Sequence, residues 1–448
     1  MINSSQENLA LRYRIPEFIY ESFNFYRNAD GVKAEYTYKL GEHIFHPSVE
    51  IPTADIRNNE IDDSFLSYLF FNFGIINAMH YYKLSIPPVF RIKAGYIDEN
   101  QRAFFKKVFY GELIEFLYNN NLRVPFEDFV TFVCEDETEK HPHTYHFDTH
   151  FGGNLIPVGG NKNSVVTLEA LQPVHEQNLC FLYHYGHDDA NIAATDCIKE
   201  AGYGLESVVD FNLSLDPLLA ELGQQGFYNG HVSLSSCFAF AAYITAYLNK
   251  KQNIILSNSA FAGNNHQYTK SYDFETDFQN YIDHCFSPQI RYFSILRSMN
   301  EFGIFQKFIK HSLYFNIFGG CNNATEEKRW CGHCPRCLYN YIMLYPLVGH
   351  DKLEHIFGGD LLDDQRLLPS FVNLVTSGSS SPFDFIGARE EIIYSLQLAC
   401  GQAGGKYPIL LQYFRDYLNN PNQQYNITNF YNPTHHIPQE YLDLVLKS

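Results

Sequence analysis

An alternation of short apolar segments and helical segments, running from residue 154 to about residue 257, constrains the fold more than any other feature of the sequence. Strand-like patterns cover residues 154–158, 179–184, 207–211 and 253–257. Helical periodicity falls between them, over residues 164–172, 190–201 and 234–248. Such alternation is typical of a doubly wound, mostly parallel sheet covered by helices. We therefore predict an α/β fold whose core occupies residues 151–340.

Two regions flank this core. Residues 1–140 place period-two segments on both sides of a turn signal at 28–31, followed by aromatic helical segments at 64–80 and 99–118. This mixture predicts an N-terminal α+β domain. Residues 341–448 are mainly helical in pattern and are predicted to form a helical C-terminal region.

Composition excludes several classes of function. The formal net charge of -18 argues against a nucleic-acid-binding protein, which needs clustered Lys and Arg. The chain begins without a basic and apolar leader, and it has no uncharged apolar run of the roughly 20 residues that span a membrane. Its ten cysteines then favour free thiols or a metal site over disulfides, which predicts a cytoplasmic protein without a membrane partner.

Four cysteines have the spacing of a metal site. Cys331, Cys334 and Cys337 form two C-x-x-C steps that share Cys334, and Cys321 precedes them after two glycines. Four thiolates suit a tetrahedral Zn²⁺ and leave no open coordination position, so we predict a structural zinc ion. Buried free thiols, an iron–sulfur cluster and a redox dithiol are the alternatives.

A glycine-containing loop at residues 158–164 joins a predicted strand to a predicted helix. Small residues let the backbone wrap an anion, and the helix N-terminus adds its dipole to that of the loop N–H groups. Lys162 would supply a positive charge at this position. The alternative is a tight turn without a ligand. The candidate binding residues are Gly159, Gly160, Asn161, Lys162, Asn163 and Ser164.

This loop resembles the Ser-Gly-Gly-Lys-Asp-Ser loop of the ATP pyrophosphatases, enzymes that split ATP into AMP and pyrophosphate while adenylating a substrate. Asn161 stands where glycine is usual and Asn163 where aspartate is usual. Asparagine offers Mg²⁺ no anionic ligand. With the cysteine cluster downstream, the layout is similar to that of 7-cyano-7-deazaguanine synthase. The resemblance implies a doubly wound sheet of the HUP-like ATP-pyrophosphatase type with a zinc knuckle.

Several further segments are more similar to the family of ATP-dependent UDP-N-acetylmuramoyl-L-alanyl-L-glutamate epimerases. They are residues 229–232, 257–258, 265–271, 296–301 and 330–335, and the resemblance runs from about residue 50 to residue 400. It implies an enzyme of peptidoglycan-precursor synthesis that adenylates and inverts the terminal L-glutamate. ATP, Mg²⁺ and Zn²⁺ are the implied cofactors, and a nucleotide-linked muramoyl dipeptide is the implied substrate.

The resemblance also supplies candidate catalytic residues. Lys270 and Arg297 would offset charge on phosphates or on substrate carboxylates, while His266 would act as base or as an ordinary hydrogen-bonding residue. The full candidate set is Lys162, His266, Lys270, Arg297 and Glu301.

Two other functions compete with the epimerase. One is an adenylating enzyme acting on a deazapurine or conjugating it to a protein. The other is a non-catalytic nucleotide-binding protein, in which Asn163 marks a decayed site. The sequence also leaves open whether the chain forms a homodimer.

Overall fold

The computed structural model describes residues 9–136, 144–185, 192–230, 232, 235–263, 267–321, 323–325, 328–377, 387–418 and 427–447. Its strands are β1 (Glu17–Asn28), β2 (Gly31–Leu40), β3 (His43–Phe45), β4 (Ser48–Pro52), β5 (Val89–Ile92), β6 (Thr131–Cys134), β7 (Asn154–Pro157), β8 (Asn178–Tyr185), β9 (Val208–Ser214), β10 (Asn253–Leu256) and β11 (Arg291–Ser294).

Helices follow most of the strands. They are α1 (Ala10–Arg14), α2 (Asp63–Asn77), α3 (Met79–Tyr82), α4 (Glu99–Asn119), α5 (Lys162–Ala170), α6 (Ile192–Glu200), α7 (Leu218–Gln224), α8 (Ser235–Leu248), α9 (Tyr272–Cys285), α10 (Glu301–Phe308), α11 (Pro335–Leu344), α12 (His350–Phe357), α13 (Leu368–Ser377), α14 (Arg389–Gln402), α15 (Ile409–Tyr413) and α16 (Gln439–Lys447). Across the described ranges, no helix has the length and apolarity needed to cross a membrane.

All eleven strands of the described residues belong to one sheet, in the order β11-β10-β7-β8-β9-β4-β2-β1-β5-β6, with β3 paired to β2. The five strands from β7 to β11 run parallel. Numbered among themselves along the chain, they have the order 3-2-1-4-5 of a doubly wound sheet, and the order reverses between β7 and β10. The prediction of an α/β fold with a mostly parallel sheet is confirmed.

The N-terminal strands extend this same sheet. β4 pairs antiparallel with β9, from Ser48 opposite Ser214 to Glu50 opposite Asn212. The regions predicted as separate domains at 1–140 and 151–340 are therefore joined by backbone hydrogen bonds. Their boundaries, and that of the region 341–448, stay predictions.

Alternating side chains divide the interior into two cores, one on each face of the sheet. On β7, Leu155 enters the core formed with α2, α4, α8 and α9, whereas the next residue, Ile156, enters the core formed with α5, α6, α10 and the C-terminal helices. Leu179 and Cys180 divide in the same way on β8. Because both faces are covered, the central strands are apolar throughout, as the sequence pattern indicated.

Local signals placed most elements correctly. In the predicted turn at 28–31, Asn28 Oδ1 accepts hydrogen bonds from the N–H groups of Asp30 and Gly31. A Cβ at Gly31, whose φ is +142°, would lie 2.1 Å from the Ile51 carbonyl oxygen. α5 begins two residues earlier than its predicted helix, at Lys162. The four-residue strands β6 and β11 have no counterpart in the sequence prediction.

A buried polar network joins the first residues of three neighbouring strands to the last helix. Asn154 Nδ2 donates to Asn178 Oδ1 (2.7 Å), and Asn253 Nδ2 donates to Asn154 Oδ1 (3.1 Å). Tyr441 of α16 donates its hydroxyl to Asn154 Oδ1 (2.5 Å) and accepts from Asn253 Nδ2 (3.0 Å). The three asparagines are almost fully buried, so the network fixes α16 against the sheet.

This network predicts a difference between two Tyr→Phe substitutions. Tyr441→Phe should lower the free energy of unfolding by about 1–2 kcal/mol, because buried amide groups lose a hydrogen-bond partner. Tyr431→Phe is the matched control, since Tyr431 is 48% exposed and its hydroxyl makes an exposed hydrogen bond with His435. Urea unfolding of both variants measures the difference. Equal stability of the two would contradict a structural role for the network.

Candidate active site

The loop at 158–164 lies where β7 ends, beside the reversal in strand order. Asn161 caps α5: its Oδ1 accepts from the Ser164 N–H (3.0 Å), and Ser164 Oγ accepts from the Gly159 N–H (3.1 Å). Within the described part of the chain, the consecutive N–H groups of residues 160–163 have no hydrogen-bond acceptor. Four free donors at a helix N-terminus form an anion-binding concavity.

Gly160 fixes the shape of this loop. Its φ is +69°, and a Cβ there would lie 2.4 Å from the backbone nitrogen of Ala194 in α6. Its carbonyl oxygen accepts from the Gly319 N–H (2.8 Å), which belongs to the segment leading into the cysteine cluster. A residue other than glycine would push these three segments apart.

Lys162 and Glu301 form a buried ion pair between the starts of α5 and α10. Lys162 Nζ lies 2.6 Å from Glu301 Oε2, with both side chains 11% exposed, and 4.5 Å from the centre of the Phe305 ring. Burial by itself raises the pKa of Glu301, but the Lys162 ammonium and hydrogen bonds from Ser259 and Asn163 together outweigh burial, and the pKa is lowered. The structure thus brings together two candidates that lie far apart in sequence.

Asn163 contacts the same carboxylate. Its Nδ2 donates to the Ser257 carbonyl oxygen (3.0 Å) and, more weakly, to Glu301 Oε1 (3.5 Å). Its Oδ1 is buried, without a hydrogen-bond partner among the described residues. The side chains of Lys162, Asn163 and Glu301 offer Mg²⁺ one neutral oxygen, that of Asn163. They offer no free carboxylate, because Glu301 is already paired with Lys162. The described residues therefore do not fit a protein-held Mg²⁺ at this loop.

Arg297 is enclosed within the protein rather than open to solvent. Its guanidinium is fully buried, 2.9 Å from the Glu275 carboxylate, and it also donates to the carbonyl oxygens of Ser259 (2.8 Å) and Lys270 (3.1 Å). These contacts hold the segment after β10 in place. Direct contact between Arg297 and a ligand stays a prediction.

Lys270 ends a short 3-10 turn and is half-buried. Burial, and then the positive charge of Arg336, lower the pKa of Lys270, while Glu112 and Glu115 act in the opposite direction. A lower pKa increases the fraction of Lys270 that is a neutral amine. The other candidate near this turn, His266, lies outside the described residues.

The four predicted metal ligands converge. Their Sγ atoms all lie within 4.8 Å of one another, with Cys321–Cys334 and Cys331–Cys337 separations of 3.7 Å and a Cys334–Cys337 separation of 3.5 Å. Zn–S bonds of 2.3 Å in a tetrahedron require S–S separations of about 3.8 Å. Gly332 makes the turn between Cys331 and Cys334 with a φ of +76°. The donor set and its geometry fit Zn²⁺.

Two buried carboxyl groups beside the site have no signal in the sequence. Glu275 lies in the first turn of α9 and pairs with Arg297. Glu391 lies in the first turn of α14 and accepts from the Phe302 N–H, 89 positions away. Each occupies an ordinary helical position, and only its long-range partner identifies it.

Comparisons with known proteins identify the family. A model described as MurL N-terminal domain matches residues 10–295, and one described as MurL C-terminal domain matches residues 317–427. Similar curated proteins are the UDP-N-acetyl-alpha-D-muramoyl-L-alanyl-L-glutamate epimerases of Xanthomonas oryzae pv. oryzae (27% identical, covering 76% of each chain) and Micromonospora sp. (28% identical, covering 73% of this chain and 74% of the relative). That of Salinispora tropica is 25% identical over 87% of this chain and 86% of its own length. No solved structure matches. The match to the N-terminal domain alone covers more than half of the chain. The chain therefore belongs to the MurL family.

Proposed function

We propose that this protein is an ATP-dependent epimerase that inverts the terminal L-glutamate of UDP-N-acetylmuramoyl-L-alanyl-L-glutamate, an isomerase of peptidoglycan-precursor synthesis. The similar curated proteins carry the name of this epimerase. The observation that carries ATP dependence is the row of N–H groups at residues 160–163, which have no acceptor among the described residues and lie where β7 ends and the strand order reverses. Doubly wound sheets bind nucleotides at such a point, and a HUP-like ATP-pyrophosphatase core accounts for this placement.

ATP would provide the activation that the inversion needs. An oxygen of the glutamate α-carboxylate attacks the α-phosphorus of ATP, forming an acyl adenylate and breaking the bond to pyrophosphate. The N–H groups of residues 160–163 and the α5 dipole stabilise the departing pyrophosphate. The α-carboxylate loses its negative charge in this step, and the Cα proton becomes more acidic as a result.

Inversion then requires a base and an acid on opposite faces of Cα. The base removes the Cα proton, a proton returns from the other side, and water cleaves the acyl adenylate to release AMP. Lys270 and His266 are the candidate bases. The lowered pKa of Lys270 supports its candidacy, because a neutral amine can accept the proton.

Zinc would stabilise the fold and would take no part in the reaction. Four thiolates close its coordination shell, and the cluster is connected to the loop through the hydrogen bond from Gly319 to Gly160. We therefore propose that the metal centre holds the segment that braces the anion-binding loop.

One observation favours a second candidate function. Asn163 offers no carboxylate, and Glu301 is already paired with Lys162. A protein with this arrangement could bind nucleotide without turning it over. Mg²⁺ stays a prediction, and no step of the proposed mechanism passes through it.

The first test of the epimerase is a reaction in D₂O with ATP, Mg²⁺ and the muramoyl dipeptide substrate. We expect AMP, D-glutamate after hydrolysis of the product, and deuterium at Cα, all dependent on ATP. Chiral chromatography and mass spectrometry measure these products. AMP without inversion would indicate an adenylating enzyme with another outcome or another substrate. Absence of both products would contradict the epimerase.

Asn163→Asp tests the loop chemistry. The variant loses the amide donor to Ser257 and sets a second carboxylate beside Glu301, so its free energy of unfolding should fall by about 1–3 kcal/mol. Mg²⁺ should then raise its melting temperature more than that of the parent. Asn59→Asp, at an exposed loop position, is the control. AMP release by the Asn163→Asp variant alone would favour a non-catalytic parent.

Metal analysis tests the cysteine cluster. We expect about one zinc ion per chain from elemental analysis, in keeping with one four-thiolate site. Cys337→Ser should abolish zinc binding and weaken ATP binding, because the brace at Gly160 loosens. Cys400→Ser, a half-buried cysteine outside the cluster, should retain both. Iron in place of zinc, or ATP binding unaffected by Cys337→Ser, would contradict the proposal.

A further inference from the structure

Glu391 is a buried carboxyl group that the proposed chemistry does not use. It lies in the first turn of α14 and is 2% exposed. Its Oε1 accepts a hydrogen bond from the Phe302 N–H (2.8 Å), while Oε2 is buried without a hydrogen-bond partner among the described residues. A buried polar atom left without a partner is costly, and such atoms are uncommon in folded proteins.

The contact with Phe302 connects α14 to the anion-binding loop. The Phe302 N–H belongs to the first turn of α10, where helices leave N–H groups without internal partners. The preceding residue is Glu301, whose carboxylate holds Lys162 Nζ at 2.6 Å and receives the Asn163 amide. Glu391 therefore sets the position of the helix start that presents Glu301, and Glu301 in turn holds the first turn of α5.

Burial favours the neutral form of Glu391. Burial, and then the negative charge of Glu301, raise the pKa of Glu391 to about 8, although the Phe302 N–H and the Lys162 ammonium act in the opposite direction. Tyr339 of α11 also lies within this group, and its hydroxyl is buried without a described partner. The Lys162 ammonium is thus available to two carboxyl groups, those of Glu301 and Glu391. While Glu391 is neutral, Lys162 stays with Glu301.

We propose that Glu391 is a positioning residue of the nucleotide site, a neutral carboxylic acid that anchors α10 and leaves Lys162 to Glu301. The inference rests on the proposed function, since it assigns the loop at 158–164 to ATP. Ionisation of Glu391 adds a second negative charge, which repels Glu301 and competes for Lys162. ATP binding should therefore weaken as the pH rises through about 8.

Measurements of thermal stability test the protonation state of Glu391 without any nucleotide. The folded protein keeps the Glu391 proton up to about pH 8, whereas an unfolded chain loses it near the ordinary value of 4.5. The Glu391 carboxyl therefore lowers the parent's free energy of unfolding by an amount that increases as the pH rises between these values. Glu391→Gln keeps an oxygen for the Phe302 N–H and carries no charge. The melting temperature of Glu391→Gln, measured relative to that of the parent, should therefore rise steadily from pH 5.5 to 8.5.

Glu390→Gln, on the same helical turn but exposed, should show no such gain. If the melting temperatures of Glu391→Gln and the parent change in parallel with pH, the neutral carboxylic acid is excluded and the proposal is overturned. This outcome does not depend on whether the protein binds ATP.

Calorimetric titration with ATP tests the positioning role. Glu391→Ala should weaken binding about tenfold at pH 7, as expected when a buried hydrogen-bond partner that fixes a loop is removed. Glu391→Gln should restore the parent's affinity at pH 7 and keep it at pH 9, where the parent loses it. Equal weakening by both substitutions, or an unchanged alkaline loss in Glu391→Gln, would overturn the proposal. If the parent does not bind ATP, the positioning role fails together with the proposed function, and the stability comparison still decides the protonation state.

Discussion

The close approach of three backbone segments at Gly160 is the constraint on which the site depends. The loop after β7, the start of α6 and the segment before the cysteine cluster meet there, with no room for a Cβ. The Gly319–Gly160 hydrogen bond then connects the cluster to the loop. A metal centre that ordered the cluster would thereby order the free N–H groups at residues 160–163. The cysteine cluster and the loop at 158–164 are mechanically one unit in this fold.

Buried charge pairs hold the remaining geometry. Lys162 with Glu301, and Arg297 with Glu275, each join segments that follow different strands. Removing one partner of such a pair leaves an uncompensated buried charge, which typically costs about 3–5 kcal/mol. The pairs therefore specify which helix starts lie together. They also mean that these cations are occupied by protein carboxylates before any ligand arrives.

The sheet extends beyond the five parallel strands β7 to β11. Because β4 pairs with β9, the N-terminal strands continue the parallel sheet, and α2 and α4 share a core with α8. The last helix is fixed from the other end through Tyr441 and the asparagines at the strand starts.

Sequence alone determined what depends on near neighbours. The alternation of strands and helices, the turn at 28–31 and the spacing of the four cysteines follow from local periodicity and chain geometry, and the structure reproduces each. The loop at 158–164 was also recognisable, since a strand, small residues and a helix start are contiguous. β11 has only two apolar residues, between Arg291 and Ser294, which are too few to indicate a strand. Only the tertiary structure decided which charged residues meet. It pairs Lys162 with Glu301 and Arg297 with Glu275. It also brings Glu391 to the start of α10. Each of those contacts joins residues far apart in sequence, and a buried carboxylate acquires its role from the charges that folding brings to it.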